Sequence, residues 1–161
     1  MQKINPCLWF DHQAEEAAAF YVSVFKNSKI VSVARYGESA AAASGQPKGT
    51  VMMVTFKLNG QGYLALNGGP HFKFSPAISL MVYCESQQEI DYFWDKLSEG
   101  GEKGQCGWLT DKFGVSWQIV PTLMDELMGK ADATKSERVM KAVMQMTKLD
   151  IAALKRAYEG K

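Results

Sequence analysis

Gln118 is the residue in this chain best suited to hold a ligand. It stands in Ser116-Trp117-Gln118-Ile119-Val120, a strand-forming run in which Trp117 and Ile119 share one face and Gln118 and Val120 the other. An amide on a buried strand needs hydrogen-bond partners, and the polar atoms of a ligand are one source of them. A second set opens the chain. In Ile4-Asn5-Pro6-Cys7-Leu8-Trp9-Phe10, packing of Leu8 and Phe10 under the following helix leaves Asn5, Cys7 and Trp9 on the opposite face. Amides, a thiol and indoles make a surface for a small molecule. They do not make general acid–base chemistry, which needs a titratable group within reach. Cys7 becomes a nucleophile only beside a base, and is otherwise an inert thiol. The two histidines, His12 and His71, both stand in turn contexts. With Asn5 and Gln118 neutral, no tight zinc site is expected, because such sites are built from thiolate, imidazole or carboxylate. Gln118 and the oxygens of a substrate remain as donors for a weakly held divalent cation.

The elements that position these residues are written twice. Residues 3–26 read as a strand and then a helix carrying Ala17, Phe20, Tyr21 and Val24 at i, i+3, i+4 and i+7. Residues 77–98 repeat the order, with the strand Ala77 to Tyr83 and a helix carrying Ile90, Phe93, Trp94 and Leu97. A repeated half of this kind predicts two modules that together enclose one site. The first half continues with strands over 29–36, 51–58 and 61–66, the last two joined by an Asn59-Gly60 hairpin turn. The glycine-bounded segment 37–49 reads as a loop whose alanine run is long enough for a helical turn. In the second half the helix stops at Gly100-Gly101, and short strands follow around 102–106 and 108–112. Asp111-Lys112-Phe113-Gly114 fits a type I turn, and the last strand covers 115–120. The expectation is an α+β protein of two βαβββ modules, residues 1–70 and 71–121, with a helical extension over 122–161, in one structural domain.

In the extension, Thr122 caps a short segment stopped by Gly129, and Thr134-Lys135-Ser136-Glu137 reads as a capping box opening a helix to about Met146. Asp150 caps the final helix, with Leu149 and Leu154 placed as a hydrophobic staple. Val139, Met140, Val143 and Met144 form an apolar stripe that packs either on this chain's own sheet or on a second protomer.

Composition narrows the class. In a chain of 161 residues with net charge +1, Lys and Arg are scattered, which leaves no electrostatic footprint for nucleic acid. No apolar run approaches the roughly 18 residues of a membrane span, and no charged-then-apolar leader opens the sequence. Cys7, Cys84 and Cys106 are odd in number and widely spaced, as in reduced thiols. A cytoplasmic protein with no membrane partner is expected. The strand-to-helix joins Asp11-His12-Gln13 and Cys84-Glu85-Ser86 contain no glycine, which excludes a Rossmann-type cofactor site.

The chain resembles the vicinal oxygen chelate superfamily of glyoxalases and extradiol dioxygenases. It is most similar to the PhnB-like group, often called 3-demethylubiquinone-9 3-methyltransferases. The resemblance is carried by Leu8-Trp9-Phe10-Asp11, Ala14-Glu15-Glu16-Ala17 with Phe20-Tyr21, Leu66-Asn67-Gly68-Gly69-Pro70 and Ala77-Ile78-Ser79-Leu80. Above all it rests on Cys106-Gly107-Trp108-Leu109-Thr110-Asp111 and Gly114-Val115-Ser116-Trp117-Gln118-Ile119-Val120-Pro121, and it is taken to extend through the helical tail. It implies a curved, mixed eight-stranded sheet around a cleft, a small-molecule substrate, pairing across a two-fold axis as a homodimer, and often a divalent metal. The superfamily's metal positions fall near Asn5, at 65–67, at Ile78 or Ser79, and at Gln118, where neither His nor a carboxylate stands. The implied lining is Asn5, Cys7, Trp9, Asn67, Ser79 and Gln118, with Trp108 near the rim. Each has a plainer reading: Trp9 and Trp108 as packing residues, Asn67 as a turn former, Ser79 as a partner for a neighbouring backbone group. Function is then that of a glyoxalase-like protein, an isomerase, lyase or dioxygenase, or else a module that binds a small molecule without transforming it. The methyltransferase name finds no cofactor motif.

Overall fold

The computed structural model describes residues 3–129 and 132–161. The chain divides into two compact units, the first ending at Phe74 and the second running from Ser75 to Lys161. The expected eight strands are present, as two separate four-stranded sheets of matching order.

The first unit contains β1 (Cys7–Phe10), α1 (Ala14–Val24), β2 (Lys29–Arg35), α2 (Glu38–Ser44), β3 (Val51–Leu58) and β4 (Gln61–Asn67). Its sheet runs β1-β4-β3-β2, with β1 parallel to β4 and the other neighbours antiparallel. The alanine run of segment 37–49 forms a full two-turn helix, α2, closed by Gly45 in the left-handed region. Asn59 and Gly60 both have positive φ, as the type I′ hairpin requires. Against α1 the sheet buries Leu8, Phe10, Val54, Phe56, Leu58 and Ala65, with Ala14, Ala17, Ala18, Tyr21 and Val24 on the helix. The edge strand β2 is exposed along its whole length and carries irregularities after Ile30 and Ala34.

The second unit repeats the plan: β5 (Ser79–Cys84), α3 (Gln87–Ser98), β6 (Glu102–Lys103), β7 (Trp108–Thr110) and β8 (Ser116–Pro121), in the order β5-β8-β7-β6. Ser86 caps α3 by accepting from the Glu89 N–H, while the Glu89 carboxylate accepts from Glu85 N–H. The expected strand over 102–106 shortens to two residues, because Cys106 and Gly107 turn through positive φ instead of extending. Ile90, Trp94 and Leu97 of α3 meet a core of Val82, Cys84, Leu109, Trp117 and Ile119. Burial and the nearby Glu89 carboxylate push the Cys84 thiol up to about 12, so it stays protonated and unreactive at neutral pH.

The extension forms α4 (Leu123–Gly129), α5 (Ala133–Val143) and α6 (Ile151–Glu159). The α5 cap is Asp132, not Thr134: its carboxylate accepts from the Thr134 N–H at 2.8 Å, which also holds it below the usual carboxylate range. The helix therefore starts one residue before the capping box and ends at Val143, short of Met146. Asp150 caps α6 through the Ala153 N–H, and Leu149 and Leu154 are both buried as the staple requires. The apolar stripe splits. Val139 and Val143 join Leu127, Leu149 and Leu154 in a small core, whereas Met140 and Met144 stay exposed. Arg138 ties the two long helices together, donating to the Ala157 and Tyr158 carbonyls at 2.9 and 2.7 Å.

Candidate functional site

Strand alternation gives each sheet one face under its helix and one face free of it. On the free face of the second sheet, Ser79, Met81 and Tyr83 of β5 lie beside Ser116, Gln118 and Val120 of β8, followed by Trp108 and Thr110 of β7. Three expected site residues meet here. Gln118 Nε2 donates to Ser79 Oγ at 2.8 Å, and Trp108 is the residue directly opposite Gln118 on the next strand. The bond leaves the amide oxygen and the serine hydroxyl hydrogen for a ligand. Met81 and Tyr83, not singled out from sequence, are 44 % and 54 % exposed beside them. They alternate with Ser79 in one strand, and that spacing is the signal that could have found them. Among the described residues, β8 and β7 bring no charged side chain to this face. Its titratable groups are Tyr83 and Glu102, on the two outer strands β5 and β6.

The first unit distributes its expected residues differently. Cys7 and Trp9 share the helix-free face with Leu64 and Leu66, as expected. Desolvation raises the Cys7 thiol above its ordinary value, which works against a thiolate nucleophile. Trp9 is fixed in place: its indole N–H donates to the Gly69 carbonyl at 2.9 Å, and Phe72 meets it edge-on with ring centroids 5.0 Å apart. A side chain at Gly68 would stand 2.2 Å from the Trp9 ring, so the Gly68-Gly69 pair is shaped to the indole. Asn5 precedes β1 and is exposed.

Asn67 is on the other side of its sheet. Paired in parallel with Phe10, it faces α1 and is buried. Its Oδ1 accepts from the Ala14 N–H at 2.8 Å and its Nδ2 donates to the Val51 carbonyl at 3.0 Å. Gln13, at the helix N-cap, makes no side-chain cap, so Asn67 supplies it from across the unit. Its own carbonyl accepts from the Tyr36 hydroxyl at 2.6 Å.

These donors do not fit a tightly held divalent metal. Asn67 spends its amide on backbone, and none of Asn67, Ser79 and Gln118 offers a carboxylate or imidazole. His12 and His71 are exposed in turns, His12 beside Asp11 at 3.4 Å. Among the described residues no group of three or more His, Cys, Asp or Glu side chains converges.

Two βαβββ units with these sheet orders define a protein of the vicinal oxygen chelate class, in its PhnB-like group. The chain belongs to the family described as 3-demethylubiquinone-9 3-methyltransferase, whose model matches residues 2–120. A PhnB protein from Bacillus cereus is 41% identical, with a TM-score of 0.67, over 75% of this chain and 100% of its own. A protein from Pseudomonas aeruginosa, 20% identical, matches with a TM-score of 0.61 over 75% of this chain and 98% of its own. The fosfomycin resistance protein FosX from Listeria monocytogenes, in complex with Mn(II) and sulfate, shares the fold at 14% identity. Its TM-score is 0.54, over 81% of this chain and 100% of that one. No curated protein matches the chain. The family match stops at residue 120, so the helical extension lies outside it, contrary to the expectation that the resemblance runs through the tail.

Proposed function

We propose that this chain is a glyoxalase-like protein that takes an uncharged, oxygenated or aromatic small molecule on the helix-free face of its second sheet. The observation that carries this is the Gln118–Ser79 pair, an amide and a hydroxyl set 2.8 Å apart opposite Trp108. A polar pair amid partly exposed apolar and aromatic side chains is the usual composition of a small-molecule site. Isomerase, lyase and dioxygenase chemistry are the reactions to screen. Retention without turnover is the second reading, favoured by the position of the Glu102 carboxylate on β6, two strands from Gln118. A panel of neutral aromatic alcohols, ketones and quinones, followed by thermal shift and by product analysis, separates the two. At least one compound is expected to raise the melting temperature. Gln118→Leu is expected to weaken its binding about tenfold, the value of one net hydrogen bond. Equal binding by the variant, or no response to any compound, would overturn the reading.

The same reading makes the protein a cytoplasmic homodimer with the extension at or near the interface. Two-fold pairing is the commonest soluble assembly, and Met140 and Met144 remain exposed on the extension. Among the described residues no helix is long and apolar enough to cross a membrane. Light scattering at micromolar concentration is expected to give twice the chain mass; a monomer mass would remove the dimer.

A further inference from the structure

The extension that follows the family-matched region is joined to the candidate site through one turn. Gln105-Cys106-Gly107 leads directly into Trp108, and the turn's two inner N–H groups donate to the extension: Cys106 to the Met146 carbonyl and Gly107 to the Thr147 carbonyl, each at 2.7 Å. Cys106 has φ +58°, a conformation that a non-glycine residue adopts rarely and only where its surroundings impose it. Gly107 has φ +82°, and a side chain there would stand 2.8 Å from the Ile119 carbonyl oxygen and 3.2 Å from Leu149. The turn is thus pressed between β8 and the extension, with no room on either side. On the far side of Leu149, Gln87 of α3 fastens the segment: Nε2 donates to the Leu149 carbonyl at 3.1 Å and Oε1 accepts from the Ile151 N–H at 2.9 Å. Lys148 adds an ion pair to Asp91, one turn along the same helix, at 2.6 Å.

We propose that the extension is a positioning element of the small-molecule site, with Gln87 as its fastening residue. Resting on the function proposed above, it fixes the Cys106–Gly107 turn and thereby the placement of Trp108 opposite Gln118. The family's matched region supplies the sheet, and the extension sets the geometry of its aromatic wall, so residues far from the ligand tune what the site accepts.

Fluorine NMR of the full-length, ligand-free protein labelled with 5-fluorotryptophan tests this, with the Trp108 resonance assigned through Trp108→Phe. Gln87→Ala is expected to shift or broaden the Trp108 resonance while leaving that of Trp9, in the first unit, in place. It should also weaken binding of a neutral aromatic probe, 2-naphthol, by about three- to tenfold, the range of one or two lost hydrogen bonds. Gln87→Glu keeps the acceptor for the Ile151 N–H but turns a carboxylate oxygen toward the Leu149 carbonyl and Asp91, and should recover only a small part of both effects. Lys148→Met, a milder loosening at the surface, should move the Trp108 resonance in the same direction and guards against misfolding of the alanine variant. A Trp108 resonance unchanged in both Gln87→Ala and Lys148→Met would overturn the proposal and leave the extension as packing alone. Failure of 2-naphthol to bind the wild-type protein would instead count against the small-molecule reading, since the resonance is measured without ligand.

Discussion

Asp111→Ala is expected to destabilise the protein by about 3–5 kcal/mol, through loss of a buried acceptor for three donors at about 1–3 kcal/mol each with partial relief from water. Asp111 is 3 % exposed. Its Oδ1 accepts from the Phe113 and Val115 N–H groups at 2.9 and 3.0 Å, and its Oδ2 accepts from the Trp117 indole at 2.8 Å. The same residue's carbonyl accepts from Gly114 N–H at 3.0 Å, closing the expected turn. One carboxylate thus shapes the β7–β8 connection and anchors a fully buried tryptophan. Asp111→Asn should fall between wild type and alanine, because its amide retains one acceptor but turns a second donor toward the indole. Urea unfolding followed by near-ultraviolet circular dichroism measures both. A cost for Asp111→Ala below about 1 kcal/mol would show that the three donors find other partners without strain.

Asn67→Ala should cost about 2–3 kcal/mol, combining a lost helix cap with a second lost hydrogen bond. The Ala14 N–H at the start of α1 and the Val51 carbonyl would both lose their partner inside the first unit. Asn67→Asp keeps the cap but faces a carboxylate oxygen to the Val51 carbonyl, and should recover only part of the loss. The pair also separates two roles for this residue. Denaturant midpoints should fall while affinity for any compound found in the panel stays at the wild-type value. An unchanged midpoint with lost affinity would return Asn67 to the ligand surface.

The reach of the sequence is clear in the contrast between these positions. Alternation along one strand sorts Leu8 and Phe10 from Cys7 and Trp9, and Trp117 and Ile119 from Gln118, because it depends only on the two-residue period. The face of Asn67 depends on register with Phe10, many residues away, and on a helix whose own N-cap residue makes no side-chain bond. Neither is written near Asn67. At α5, Asp132 and Thr134 are both good capping residues, and backbone geometry decides for the first. The methionine stripe has helical spacing throughout, yet which half is buried depends on where Leu127, Leu149 and Leu154 arrive. Periodicity names an element's faces; only the assembled unit says what each face meets.

The parallel pairing that opens each unit governs the order in which the chain takes shape as it leaves the ribosome. Cys7 to Phe10 have no ladder partner until Leu64 to Asn67 follow, and Ser79 waits in the same way for Ser116. The turn at Cys106 waits in the same way for the Met146 and Thr147 carbonyls of the extension. A nascent chain stalled before that point leaves Val139 and Val143 without Leu149 and Leu154 and the turn unsatisfied, the kind of surface that chaperones recognise. Arrival of the segment from Met146 to Leu154 therefore decides when the second unit stops being vulnerable.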